Sequence, residues 1–248
     1  MKKQILMLSA LAMFMITSCS KSKDEPKEEM VVCQLTQASL SGNGETITHS
    51  YEFKDGKITF VKAASDKVSH PLNYSYNHTS TSISEGETMY TLDAQGRITS
   101  ESGPENIGRY NKTYVYNNDG YLIEVKKDNT NDITKFTWTN GNLTKIEEVV
   151  NYDGTAYSDI TFYDYSSDIR PTNFYADVPD MPVVYNYIFK FMGKQTKNLV
   201  SKERYEIGTT GNMFIYGFDS NKNVTSMTDK DETSGFVNGA YEFKYSCK

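Results

Sequence analysis

Residues 114–125, YVYNNDGYLIEV, decide how the rest of the chain is read. Tyr114 and Tyr116 share one side of an extended run, and Tyr121, Ile123 and Val125 share one side of the next. Period-two alternation of aromatic and β-branched residues marks a strand. Between the runs, Asn117-Asn118-Asp119-Gly120 places Asn first and Gly fourth, which suits a type I turn closed by a left-handed residue. The stretch is therefore a β-hairpin.

The same grammar returns along the chain. YTLDAQGRITS (90–100) has Asp93 and Gly96 at matching turn positions, and YGFDSNKNVTS (216–226) has Asp219 in register with Lys222 in place of the glycine. A shorter form, aromatic-x-(Asp/Asn)-Gly-x-(Ile/Leu)-Thr, appears as FKDGKIT (53–59) and WTNGNLT (138–144). Asp-Gly and Asn-Gly are strong two-residue hairpin signals. YDYSSDIRPT (163–172) is a degraded copy whose Pro171 suits no central strand. VVYNYIFKF (183–191) and KNLVSKERYEI (197–207) are both read as strands, and Pro171, Pro179 and Pro182 mark a long connection before them. Helical stripes are nearly absent. The spacing of turns predicts an all-β fold of about a dozen or more antiparallel strands. So many strands curl, split into layers or close.

The first 32 residues stand apart. Met1-Lys2-Lys3 is basic, residues 5–16 are apolar, and Ile16-Thr17-Ser18-Cys19 follows. A basic start, a short apolar run and small residues describe a secretory signal, too short to span a bilayer. Ile16-Thr17-Ser18-Cys19 resembles a bacterial lipobox, which implies a signal peptide over 1–18 and a lipid on Cys19. SKSKDEPKEE (20–29) is polar, charged and proline-containing, so 19–32 reads as the lipidated cysteine and a flexible tether. Lys23-Asp24-Glu25 resembles the acidic tag of some surface-exported Bacteroidetes lipoproteins, with a generic linker as the equal alternative. The expected location is an outer-membrane lipoprotein, periplasm-facing or on the cell surface.

Residues 33–248 form the expected single domain. With Cys19 lipidated, Cys33 and Cys247 remain, one at each end of the fold and both outside the cytoplasm, where disulfides persist. A bridge between them makes the first and last strands neighbours, which favours a closed up-and-down barrel. The net charge of −6 and pI of about 5.2 argue against nucleic acid, which is bound through basic patches.

YTLDAQGRITSE, YVYNNDGYLIEVKK, MGKQTKNLVSKERYE and FIYGFDSNKNVTSM resemble the Bacteroidetes lipoprotein family of unknown function DUF4595, and the hairpins also resemble the YD repeats of Rhs proteins. The resemblance implies a large antiparallel barrel with a porin-like fold and supplies no catalytic residues. A membrane-spanning barrel needs an apolar outer band about 25 Å tall. Lys126, Lys127, Lys145, Glu147, Lys202 and Arg204 inside strand candidates and a mean hydropathy of −0.59 oppose one, so a soluble barrel is expected.

Chemical motifs are sparse. His49, His70 and His78 lack metal-ligand spacing, no Gly-x-Ser-x-Gly elbow or phosphate loop is present, and the Asn/Asp clusters fit turn chemistry better than a calcium loop. No catalytic residue, metal or cofactor is assigned. The 19 tyrosines suit half-buried strands and barrel rims. As a ligand-stacking platform, the candidates are Tyr114, Tyr116 and the single Trp138. The reading is a non-catalytic binding or scaffold lipoprotein, held at a membrane by its lipid, with a glycan, peptide or envelope protein as partner. The alternatives are a hydrolase of envelope or dietary polymer, and a carrier of an apolar ligand in the barrel lumen.

Overall fold

The computed structural model describes residues 33–105, 108–128, 130, 132–152, 155–174, 188–206 and 211–248. Sixteen strands follow one another: β1 (Cys33–Gly42), β2 (Glu45–Lys54), β3 (Lys57–Ser65), β4 (Leu72–His78), β5 (Ser82–Glu85), β6 (Thr88–Leu92), β7 (Ile98–Pro104) and β8 (Arg109–Tyr116). The second half is β9 (Leu122–Lys127), β10 (Asp132–Thr139), β11 (Asn142–Tyr152), β12 (Thr155–Ile169), β13 (Asn198–Tyr205), β14 (Gly211–Phe218), β15 (Val224–Asp231) and β16 (Val237–Cys247). Each pairs antiparallel with its chain neighbours, and β1 pairs with β16, so the sheet closes into an up-and-down barrel without an edge. Cys33 lies opposite Cys247 across that seam, and their sulfurs are 2.04 Å apart, a disulfide closing a sequence separation of 214 residues. In the chain-entropy account such a loop contributes on the order of 5 kcal/mol.

The hairpin turns behave as their sequences require. Asp55-Gly56 and Asn140-Gly141 have both residues at positive φ, as the mirror-image two-residue turn demands. Gly96 and Gly120 close their turns at φ of 76° and 88°, and Lys222 takes the equivalent left-handed place at 63°.

A feature beyond simple alternation repeats around the barrel. Just after the turn of several hairpins the ladder skips one residue, a β-bulge. Phe53 pairs with Ile58 but Glu52 with Phe60; Tyr116 pairs with Leu122 but Val115 with Glu124; Trp138 pairs with Leu143 but Thr137 with Lys145. The bulge flips the parity of the strand that follows. Inward positions then run i, i+3, i+5: Leu122, Val125, Lys127 and Leu143, Ile146, Glu148. The face expected for Tyr121, Ile123 and Val125 is corrected accordingly, because Ile123 is the skipped residue and Val125 aligns with Leu122.

The next hairpin satisfies the main chain beside each bulge. Tyr116 Oη donates to Ile98 O at 2.7 Å, Trp138 Nε1 to Leu122 O at 2.7 Å, Tyr216 Oη to Val200 O at 2.8 Å and Tyr245 Oη to Val224 O at 2.9 Å. Tyr165 does the same for Leu143, and His78 Nε2 lies 2.9 Å from Ile58 O. These contacts link each hairpin to its predecessor at one end of the barrel, the end that holds Cys33 and Cys247.

The described parts of the connection between β12 and β13, residues 170–174 and 188–197, cover the same end. Phe174 is fully buried, edge-on to Phe243 and Tyr216. Arg170 donates through its guanidinium to Thr196 O and Phe174 O. Lys194 N and Lys197 N donate to Gly120 O and Gly141 O, each at 2.9 Å, tying the connection to two hairpin turns. Gly193 (φ 83°) lies so close to Gly120 O that a Cβ would approach it to 2.5 Å. The strand expected over 183–191 is corrected where it is described: residues 188–191 form a 3-10 turn, and 183–187 lie outside the described residues. A closed barrel has no edge left for another strand, and the compact turn buries Ile188 in the interior.

Outward positions mix polar side chains with scattered apolar ones such as Met89, Val150, Phe162 and Ile215. Ser50, Glu52, Asn73, Ser75, Thr137 and Lys244 are exposed on their strands, unlike the continuous apolar belt of a lipid-facing barrel. No described helix is long and apolar enough to cross a membrane. The signal peptide expected over 1–18, Cys19 and the tether over 19–32 lie outside the described residues.

Candidate ligand-binding cavity

Wall side chains do not fill a sixteen-stranded barrel by themselves. Here tyrosines and aliphatics pack much of the interior, and a cavity of about 450 Å³ remains against β5–β11 and residues 188–196. Its size falls in the range of small-molecule sites. The inward positions of the bulged strands grade from apolar to charged along the barrel. Near the covered end the cavity meets Leu122, Trp138, Leu143, Ile188 and Met192, with Lys194, Gln195 and Thr196 of the connection beside them. Further along come Tyr90, Tyr114, Val125, Phe136 and Ile146. Toward the far end lie Glu85, Glu101, Lys112, Lys127, Asp132 and Glu148.

The charged wall is ordered by its own contacts. Glu101 is buried on β7 and accepts from Tyr110 Oη at 2.5 Å, from Tyr114 Oη, and from Lys112 Nζ at 3.4 Å. Burial and the Glu101 carboxylate push the Tyr110 phenol up to about 12 and raise that of Tyr114 further, so both are neutral donors. Glu85, on β5, accepts from Tyr76 Oη at 3.1 Å. Its pKa is raised, first by desolvation and also by Glu101, while the Tyr76 bond works the other way. Lys127 Nζ reaches Glu105 at 2.5 Å. Thr130 Oγ1 donates to Asp132 at 2.5 Å, and Lys194 Nζ sits 5.3 Å from the centre of the Tyr121 ring.

All three candidate stacking aromatics face the interior. Trp138 and Tyr114 line the cavity, with Tyr121 packed on Trp138 at 4.6 Å between ring centres. Tyr116 is not among the lining residues; its hydroxyl holds Ile98 O and its face carries the Arg97 guanidinium at 4.5 Å. None is part of an exposed platform. The histidines do not assemble a site: His49 is buried among wall residues, His70 is exposed in a loop and His78 holds Ile58 O. Among the described residues no group of three His, Cys, Asp or Glu side chains is arranged to hold a metal ion.

Sequence reading missed Glu85, Glu101 and Lys112, and it counted Lys127 among the charges opposing a lipid-facing band, whereas the bulge after the 117–120 turn brings Lys127 to the cavity. One signal was present: in RYNKTYVY (109–116) Lys112 shares the face of Tyr110, Tyr114 and Tyr116. Glu101 was hidden by the bulge. Strict alternation from Ile98 turns Ser100 inward, but Thr99 is skipped and Glu101 takes the place.

No family model matches the chain, and no curated protein matches it. Solved structures do. A porin-like protein from Bacteroides uniformis is 15% identical, with a TM-score of 0.57 over 86% of this chain and 96% of that one. A porin-like protein from Bacteroides vulgatus is 13% identical, with a TM-score of 0.60 over 87% of this chain and 99% of that one. At this identity the likeness is one of fold: the chain is a closed antiparallel barrel of porin-like architecture.

Proposed function

We propose that this protein is a lipid-anchored envelope protein of the DUF4595 kind that binds a small amphipathic ligand inside its barrel without transforming it. The cavity is the observation that carries this reading: a largely apolar wall at the covered end, bordered by Lys194, Gln195 and Thr196, and a charged wall at the other suit a molecule with a hydrocarbon body and a polar head. The expected site thus moves from an outer aromatic surface to the lumen, since Tyr114 and Trp138 face inward. Glu101, the most buried carboxylate of the lining, already accepts from three side chains and so does not serve the hydrolase alternative as acid or base.

The described chain begins at Cys33, at the covered end. A lipid on Cys19 serves either a periplasm-facing or a surface-exposed protein. Native mass spectrometry of protein purified from its membrane, before and after incubation with 1-octanol, tests the binding reading. One small molecule per chain is expected, lost in Ile146→Phe. Ligand-free protein under both conditions would overturn it. For the anchor, Cys19→Ala is expected to abolish palmitate labelling and release the protein from the membrane fraction.

A further inference from the structure

The charges of the lining are unevenly satisfied. Three ammonium groups and four carboxylates face the cavity. Each ammonium is engaged: Lys112 with Glu101, Lys127 with Glu105, and Lys194 over the Tyr121 ring. Glu101 has three donors, one of them charged. Asp132 has the Thr130 hydroxyl and the Asn151 main-chain amide, and Glu148, the fourth carboxylate, is exposed to solvent, which screens its charge. Glu85 is partly buried and has, among the described residues, one neutral donor, the Tyr76 phenol. A desolvated carboxylate beside a second carboxylate favours a cation at hydrogen-bond distance.

We infer that the cavity selects an apolar amine, its ammonium against Glu85 and its hydrocarbon body against Phe136, Trp138, Ile146 and Met192. This rests on the binding reading above and names its ligand class. An anionic head at the same wall would face Glu85 and Glu101 while the resident lysines keep their own partners. A neutral hydroxyl head would donate a hydrogen bond to Glu85 without the charge. The raised pKa of Glu85 agrees, since a bound ammonium would relieve the desolvation that causes it.

Calorimetric titration of the full chain with three ligands of one length separates the possibilities: octylammonium, 1-octanol and octanoate. Octylammonium is expected to bind at least tenfold more tightly than octanol, and octanoate most weakly. Glu85→Gln keeps an acceptor for Tyr76 and removes the charge. It should erase the tenfold preference, and a circular-dichroism spectrum and thermal unfolding midpoint like the parent's show that the variant is folded. Equal affinity for amine and alcohol, or a preference for octanoate, would overturn the amine inference and leave the cavity reading intact. An unchanged amine preference in Glu85→Gln would overturn the role of Glu85. Failure of all three ligands to bind would overturn both.

Discussion

The aromatic side chains show at the residue scale why tyrosine is so abundant here. A bulge exposes a main-chain carbonyl in a dry interior, and an unsatisfied buried acceptor costs about 1–3 kcal/mol. Tyr116, Trp138, Tyr216 and Tyr245 each bring apolar bulk and one donor to that place. Tyr116→Phe keeps the bulk and removes the donor, and it should lower stability by about 1–3 kcal/mol in denaturant titration; no loss would show that Ile98 O is served otherwise. His49 predicts a pH effect. Burial holds its pKa at about 4, below the ordinary 6.5. The unfolded chain takes up this proton near pH 6.5 and the folded chain only near 4, so stability falls as pH drops through that window. His49→Gln should flatten that part of the stability curve relative to the parent. Residue type was legible in the sequence; the partner of each side chain was not, because that depends on which hairpin stands next to it.

At the scale of elements, the hairpin grammar was legible and the bulge was not. Asp-Gly and Asn-Gly turns announce themselves through their need for positive φ. The bulge after the turn carries no such signature, yet it decides that Glu101 rather than Ser100 faces the lumen. The connection from 170 to 197 was harder still. Phe189 and Phe191 alternate as in a strand, but they lie in a 3-10 turn where the closed barrel offers no edge to pair with. Lys222 offers a test of the turn grammar. It holds φ of 63°, a region that is costly for a residue with a Cβ. Lys222→Gly should raise stability by about 0.5–1 kcal/mol, the strain relieved being partly offset by a more flexible unfolded chain. A loss in thermal or chemical unfolding would show that the Lys222 side chain contributes more than its backbone costs.

At the scale of the molecule, closure follows from many short antiparallel strands and a cysteine at each end, both visible in the sequence. Strand number and the unfilled space were not visible, since they depend on how inward volume compares with barrel width. That space is the central claim, and the protein carries its own reporter. Trp138 is the only tryptophan in the chain and it lines the cavity. The most direct measurement is Trp138 fluorescence during titration with 1-octanol, with acrylamide quenching at each point. A ligand-binding cavity predicts a saturable change in emission, one site per chain, with quenching reduced on saturation and the response lost in Ile146→Phe. Emission and quenching that stay constant, or that respond identically in Ile146→Phe, would contradict a binding site in the lumen.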